Sequence, residues 1–139
     1  MAMLFGVWLF FAGMFSDVEP PLPITTGVLL EGKITYYSAG VMERVYSYRL
    51  GAREVEPCGE CVGMIAVVDA EHIGKHAYIT LPDQEPMGPF LIIDCARKQD
   101  AERLKSAGLI AEVSRERAYL WDMQRPIYGA QLFIMDDHR

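Results

Sequence analysis

Cysteine is scarce: only Cys58, Cys61 and Cys95 occur in 139 residues. That excludes a small disulfide-built scaffold. Positive charge is scarce too, with 13 Lys and Arg against 19 Asp and Glu and a formal net charge of −6. A chain this acidic, without clustered Lys and Arg, excludes a general nucleic-acid binder. No Walker loop, Gly-x-Gly-x-x-Gly or Gly-x-Ser-x-Gly motif is present, which removes support for nucleotide-binding and α/β-hydrolase readings. Internal repeats, low-complexity tracts and a collagen-like period are also missing, and at 51% apolar residues the chain is not disordered. One domain with a single core fits the length.

No charge occurs before Asp17 and no Lys or Arg before Lys33. Residues 1–16 form an apolar run too short for a comfortable membrane span, which needs roughly 20 residues. The run has the length of a signal-peptide apolar region and reads as an export leader or membrane anchor. The competing reading is a buried first element of the domain. Pro20, Pro21 and Pro23 then block regular structure, so residues 17–26 read as a linker and residues 27–139 as the domain.

Within the domain the pattern predicts about seven short strands and one or two short helices. Glu31 to Ser38 is rich in β-branched and aromatic residues, as strands are. Arg44 to Leu50 alternates Val45, Ser47 and Arg49 against Tyr46 and Tyr48, which predicts a second strand. Gly51 to Cys61 reads as loop. Met64 to Val68 and Phe90 to Ile93 are continuous apolar runs, as in strands buried on both faces. His76 to Leu81 alternates and pairs with the Phe90 strand as a hairpin around Pro82 to Pro89. Lys98 to Ala107 predicts a helix stopped by Gly108, Leu109 to Val113 a strand, Ser114 an N-cap for a turn through Trp121, and Ile127 to Met135 the last strand. Many short strands with few helices point to a small β-barrel or sandwich rather than a βαβ sheet.

Cys58 and Cys61, then ten residues, then His72 and His76 approach a zinc-finger spacing. Gly74 between the histidines and Tyr78-Ile79-Thr80 after them oppose the single helix such a site needs, so the sequence predicts no metal site and no cofactor. In an exported chain two of the three cysteines would pair, with the pairing open; in a reducing compartment Cys-x2-Cys would hint at redox chemistry, but no thioredoxin-like βαβ context surrounds it. The mixed charges of Ala96 to Gly108 read as a solvated helix face.

Three segments in order, Gly32 to Gly40 (GKITYYSAG), Gly63 to Ala96 and Leu109 to Trp121 (LIAEVSRERAYLW), resemble the double-psi β-barrel of rare lipoprotein A-like and three-aspartate cell-wall proteins, relatives of expansins. Ile73-Gly74-Lys75 matches the family's turn, Ala77 to Thr80 the following strand, Gly88 its glycine loop and Asp94 its strand-end acid. The resemblance implies a mainly β fold, a six- to seven-stranded double-psi barrel with one or two short helices, preceded here by the apolar segment. It also implies an exported, cell-envelope or membrane-anchored protein acting on peptidoglycan or a related polysaccharide. Asp94 would be the single acid/base of a lytic transglycosylase-like cleavage, since a partly desolvated carboxyl can hold a proton for the glycosidic oxygen. A turn-capping role is the alternative for Asp94. Asp69, ending MIAVV as Asp94 ends FLII, and Glu112, where the family has Asp, would join it; each alone also fits a turn residue. Tyr36 and Tyr37 could offer a ring to a sugar face, one of them facing the core. Other readings are a non-catalytic glycan- or protein-binding barrel and a Cys/His metal-binding module.

Overall fold

The structure, a computed structural model, describes residues 26–136. The leader and nearly all of the linker lie outside the described residues. Six strands close into a barrel: β1 (Gly27–Tyr36), β2 (Gly63–Val67), β3 (His76–Thr80), β4 (Met87–Cys95), β5 (Leu109–Val113) and β6 (Ile127–Met135). Three helices decorate it: α1 (Val41–Gly51), α2 (Ala101–Ser106) and α3 (Arg115–Leu120). Short 3-10 turns occupy Ala70–His72 and Lys98–Asp100. Among the described residues no helix is long and apolar enough to cross a membrane. The mainly β barrel expected from the sequence is therefore present, with six strands.

The strand order around the barrel is β1-β5-β2-β4-β3-β6. β1 runs parallel to β5 and β2 parallel to β4, while the other four pairings are antiparallel. Exchanging β1 with β4, β2 with β5 and β3 with β6 maps this whole set of pairings onto itself. The barrel thus consists of two interlocked three-strand halves, although no repeat is visible in the sequence. Among the described residues closure leaves no exposed sheet edge.

Alternation along each strand sorts the apolar residues into two cores. Ile34, Ile65, Ile79, Phe90, Ile92, Val113, Leu132 and Ile134 fill the barrel interior. Ala66, Leu91 and Ile93 point outward, into a second cluster with Met42 and Val55. This explains the unbroken run Phe90-Leu91-Ile92-Ile93: both faces of β4 are covered, one by the barrel interior and the other by the α1 side.

The expected strand over Arg44 to Leu50 is helix α1 instead. Met42 is buried, and Val45, Tyr46 and Leu50 pack against the same outer cluster. Their spacing of three and four residues puts them on one helical stripe. The period-two alternation over the same stretch is a coincidence of composition, and the need to cover Leu91 and Ile93 decides the outcome. Gly40 starts the helix in the left-handed region at φ 80, a conformation that favours glycine. The other helix signals hold. Ser114 Oγ accepts the Arg117 amide at 3.1 Å, and Gly108 ends the α2 segment at φ 81.

Candidate active site at the end of β4

Asp94 is aimed by an irregularity in the β2–β4 pairing. Ile65 pairs with Ile92, but the next residue, Ala66, pairs with Asp94, so β4 carries one extra residue, Ile93. Strict alternation would have put Asp94 on the inward side with Phe90 and Ile92. The bulge turns it to the outward side shared with Ala66, as bulges beside functional sites often do.

Ala66 also pairs with Glu112 of β5, and Glu112 in turn with Thr35 of β1. A row therefore crosses four strands: Thr35, Glu112, Ala66, Asp94. The two acids flank a methyl group and lie two strand spacings apart, about 10 Å between their backbones. Tyr37, just beyond β1, leans over this row. Its hydroxyl donates to Asp94 Oδ2 at 2.9 Å. Tyr37, Ala66 and Glu112 line a small cavity of about 40 Å³ with Leu104, Leu109 and neighbouring residues.

Arg49, in the last turn of α1, closes the other side. Its Nη2 donates to Asp94 Oδ1 at 3.2 Å and its Nε to the Ile93 carbonyl at 3.0 Å, while Nη1 pairs with Glu54. The guanidinium thus ties the helix to the bulge. Both Arg49 and Asp94 side chains are mostly covered, at 18% and 19% exposure.

These surroundings perturb three groups. Burial pushes the Tyr37 phenol well above its usual range, and the Asp94 carboxylate adds to the effect. Burial also raises Glu112, with the Asp94 charge acting in the same direction. Cys95 is raised by burial and then by Asp94, against a smaller lowering by Arg49. A carboxyl raised by burial, two strands from one that accepts two hydrogen bonds, gives the site two acids in unlike surroundings.

The structure brings together Asp94, Glu112 and Tyr37 of the expected site residues. Asp69 stands elsewhere. It follows β2, pairs with Lys105 Nζ at 2.7 Å, and borders a separate cavity of about 340 Å³ with His72 and Glu31. Tyr36 packs against the barrel interior and carries the Arg115 guanidinium 5.0 Å from its ring centre. One of the two tyrosines does face the core, and neither presents a free ring at Asp94. An exposed ring is offered instead by Tyr48, beside Arg49. The strand-like alternation over Arg44 to Leu50 masks Tyr48 and Arg49 as helix residues, and Glu54 sits in the loop just beyond α1; the stripe Met42, Val45, Tyr46, Arg49 and Leu50 is the helical signal.

Cys58 and Cys61 form a disulfide and Cys95 is a half-buried thiol. Among the described residues two sets of side chains have the donor types and proximity for a metal: Cys58, Cys61 and His76, and Asp69, Glu71 and His72. In the second, Lys105 already neutralises Asp69. Comparison with protein-family models, curated proteins and solved structures finds no match to the chain.

Proposed function

We propose that this barrel acts on a peptidoglycan-type glycan in the cell envelope, cleaving it in the manner of a lytic transglycosylase. The observation that carries the reading is the placement of Glu112 and Asp94 on either side of Ala66, in unlike surroundings. Support also comes from the likeness of Gly32 to Gly40, Gly63 to Ala96 and Leu109 to Trp121 to the double-psi barrels of cell-wall proteins. Export would use the apolar residues 1–16, which could also hold the chain at a membrane.

In this reading Glu112 holds the proton, in place of the Asp94 that the resemblance implies, because burial keeps it neutral at a higher pH than an ordinary carboxyl. It protonates the glycosidic oxygen as the bond to the anomeric carbon breaks, and the bond's electron pair leaves with that oxygen. The sugar's own hydroxyl attacks the anomeric carbon and returns its proton to the Glu112 carboxylate, closing an anhydro ring. No water is consumed, so the two-carboxylate rule for hydrolysis does not apply. Asp94, held by Tyr37 and Arg49, offers negative charge to the developing oxocarbenium ion. Asp69 has no proton-transfer step, and Tyr48 supplies the exposed ring for a sugar face.

The test is incubation of the full chain with purified peptidoglycan and mass spectrometry of the released ends. Anhydro-sugar ends should form, and should vanish in Glu112→Gln. Their absence at every pH tried, or their persistence in Glu112→Gln, overturns the proposal. A second reading, a non-catalytic glycan- or protein-binding barrel, is favoured by one observation: both Asp94 oxygens are already occupied by donors. Co-sedimentation with the glycan without new ends would support it.

A further inference from the structure

The finger-like spacing Cys58, Cys61, His72, His76 does not come together as four ligands. His72 turns toward Glu71 and Lys75 and lines the cavity beside Asp69. His76, the first residue of β3, goes the other way. One ring nitrogen of His76 and the sulfurs of Cys58 and Cys61 all lie within 4.8 Å of one another. Zinc–sulfur bonds of about 2.3 Å and zinc–nitrogen bonds of about 2.0 Å place tetrahedral ligand atoms roughly 3.4 to 3.8 Å apart. The three donors therefore stand within reach of one cation once the disulfide opens and its sulfurs separate.

The frame around them is firm. His76 is buried, at 7% exposure, and paired through its strand to Leu91. Val55, three residues before Cys58, is buried in the outer cluster, against which both cysteines pack. Val62, directly after Cys61, donates its amide to the Pro89 carbonyl at 2.9 Å and accepts from Arg117 Nη2 at 2.6 Å. Opening the disulfide would free the sulfurs from each other while both ends of their loop stay pinned beside His76.

We propose that Cys58, Cys61 and His76 form a redox-gated site for a borderline divalent cation of the zinc type. In the oxidised state the disulfide removes two of the three ligands. A dithiol reductant supplies two electrons and two protons, is itself oxidised to a disulfide, and leaves Cys58 and Cys61 as thiols. Cation binding then displaces both thiol protons, and water completes the fourth position. Cys95 and His72 take no part.

The experiment titrates zinc into the full chain against a chromophoric chelator, before and after reduction with a phosphine. Reduced protein should bind one equivalent, oxidised protein none at the same concentration, and Cys95→Ser and His72→Ala should match the wild type. His76→Ala should weaken binding by more than roughly tenfold, since even outer partners of a metal ligand are worth that much. Because His76 is buried, His76→Cys is the companion variant: it keeps a soft ligand in place and should restore binding. Cobalt in place of zinc should give a thiolate charge-transfer band that is lost in Cys61→Ser. Failure of the reduced wild type to bind zinc overturns the proposal. So does a His72→Ala defect equal to that of His76→Ala.

Discussion

Tyr37 and Asp94 stand 57 positions apart in sequence, yet the tyrosine hydroxyl donates to the carboxylate at 2.9 Å. The bond joins the end of β1 to the end of β4, the two strands that exchange places in the barrel's two-fold pairing scheme. Arg49 adds a third element by reaching Asp94 from α1. One carboxylate thus ties both halves of the barrel to the helix that covers it.

The first consequence is in alkali. Burial, then Asp94, raises the Tyr37 pKa in the folded chain, while an unfolded tyrosine ionises near about 10. A raised folded value means that the stabilisation is complete below the unfolded value and is lost as pH rises through the folded one. Absorbance titration of the seven tyrosines should show one that ionises only as the barrel opens. Tyr37→Phe should remove that step and cost about 1.5–3 kcal/mol in urea at neutral pH, the scale of a hydrogen bond to a charged group. An unchanged titration curve in Tyr37→Phe would refute the assignment.

A second pH effect belongs to Glu112. Its folded pKa lies above the ordinary value of 4.5, chiefly through burial, which outweighs a lowering by Thr35, with a smaller rise from Asp94. The sign is the same as for Tyr37: stability is full below 4.5 and falls as pH rises through the folded value. Wild-type urea midpoints should therefore decline from acid toward neutral pH by more than those of Glu112→Gln. Parallel profiles for the two proteins would show that Glu112 is not perturbed by its site.

Sequence patterning revealed the barrel wherever burial on both faces left a continuous apolar run, as in Met64 to Val68 and Phe90 to Ile93. It also revealed Ser114 and Gly108, whose capping roles are local. It failed at α1, where Tyr46 and Tyr48 mimic strand alternation while Met42, Val45 and Leu50 obey the helical period. The choice between those periods depends on Leu91 and Ile93, which are distant in sequence and need a cover. The site shared this fate. Asp94 and Glu112 were visible as strand acids, but their alignment across Ala66 depends on a bulge, and bulges are a property of pairing. Arg49 was invisible as a partner because its side chain points at Asp94 only from a helix.

Arg49 supplies a stability prediction. Its planar fork makes separate bonds to the Ile93 carbonyl, Asp94 and Glu54, a pattern that a lysine ammonium on a flexible stem cannot reproduce. Arg49→Lys should lower stability by about 2 kcal/mol, and Arg49→Ala by more, since it leaves Asp94 without a cation in a mostly covered position. Denaturant unfolding measures both. A lysine variant as stable as the wild type would mean that charge alone, without the fork, holds α1 to β4.

Cys95 reports on the same electrostatics from one residue away. With Cys58 and Cys61 joined, it is the single thiol, so alkylation by iodoacetamide reads it without interference. Burial and Asp94 raise its pKa and Arg49 opposes them, and the rate follows the thiolate fraction. Asp94→Asn removes the nearby negative charge and should speed alkylation; Arg49→Gln removes the positive one and should slow it. Each change should stay below about tenfold, the effect of one pKa unit. The opposite signs separate charge from loosening, because a loosened barrel would expose Cys95 and accelerate both variants. Acceleration in both would therefore discard the electrostatic account of the β4 end and leave only its packing.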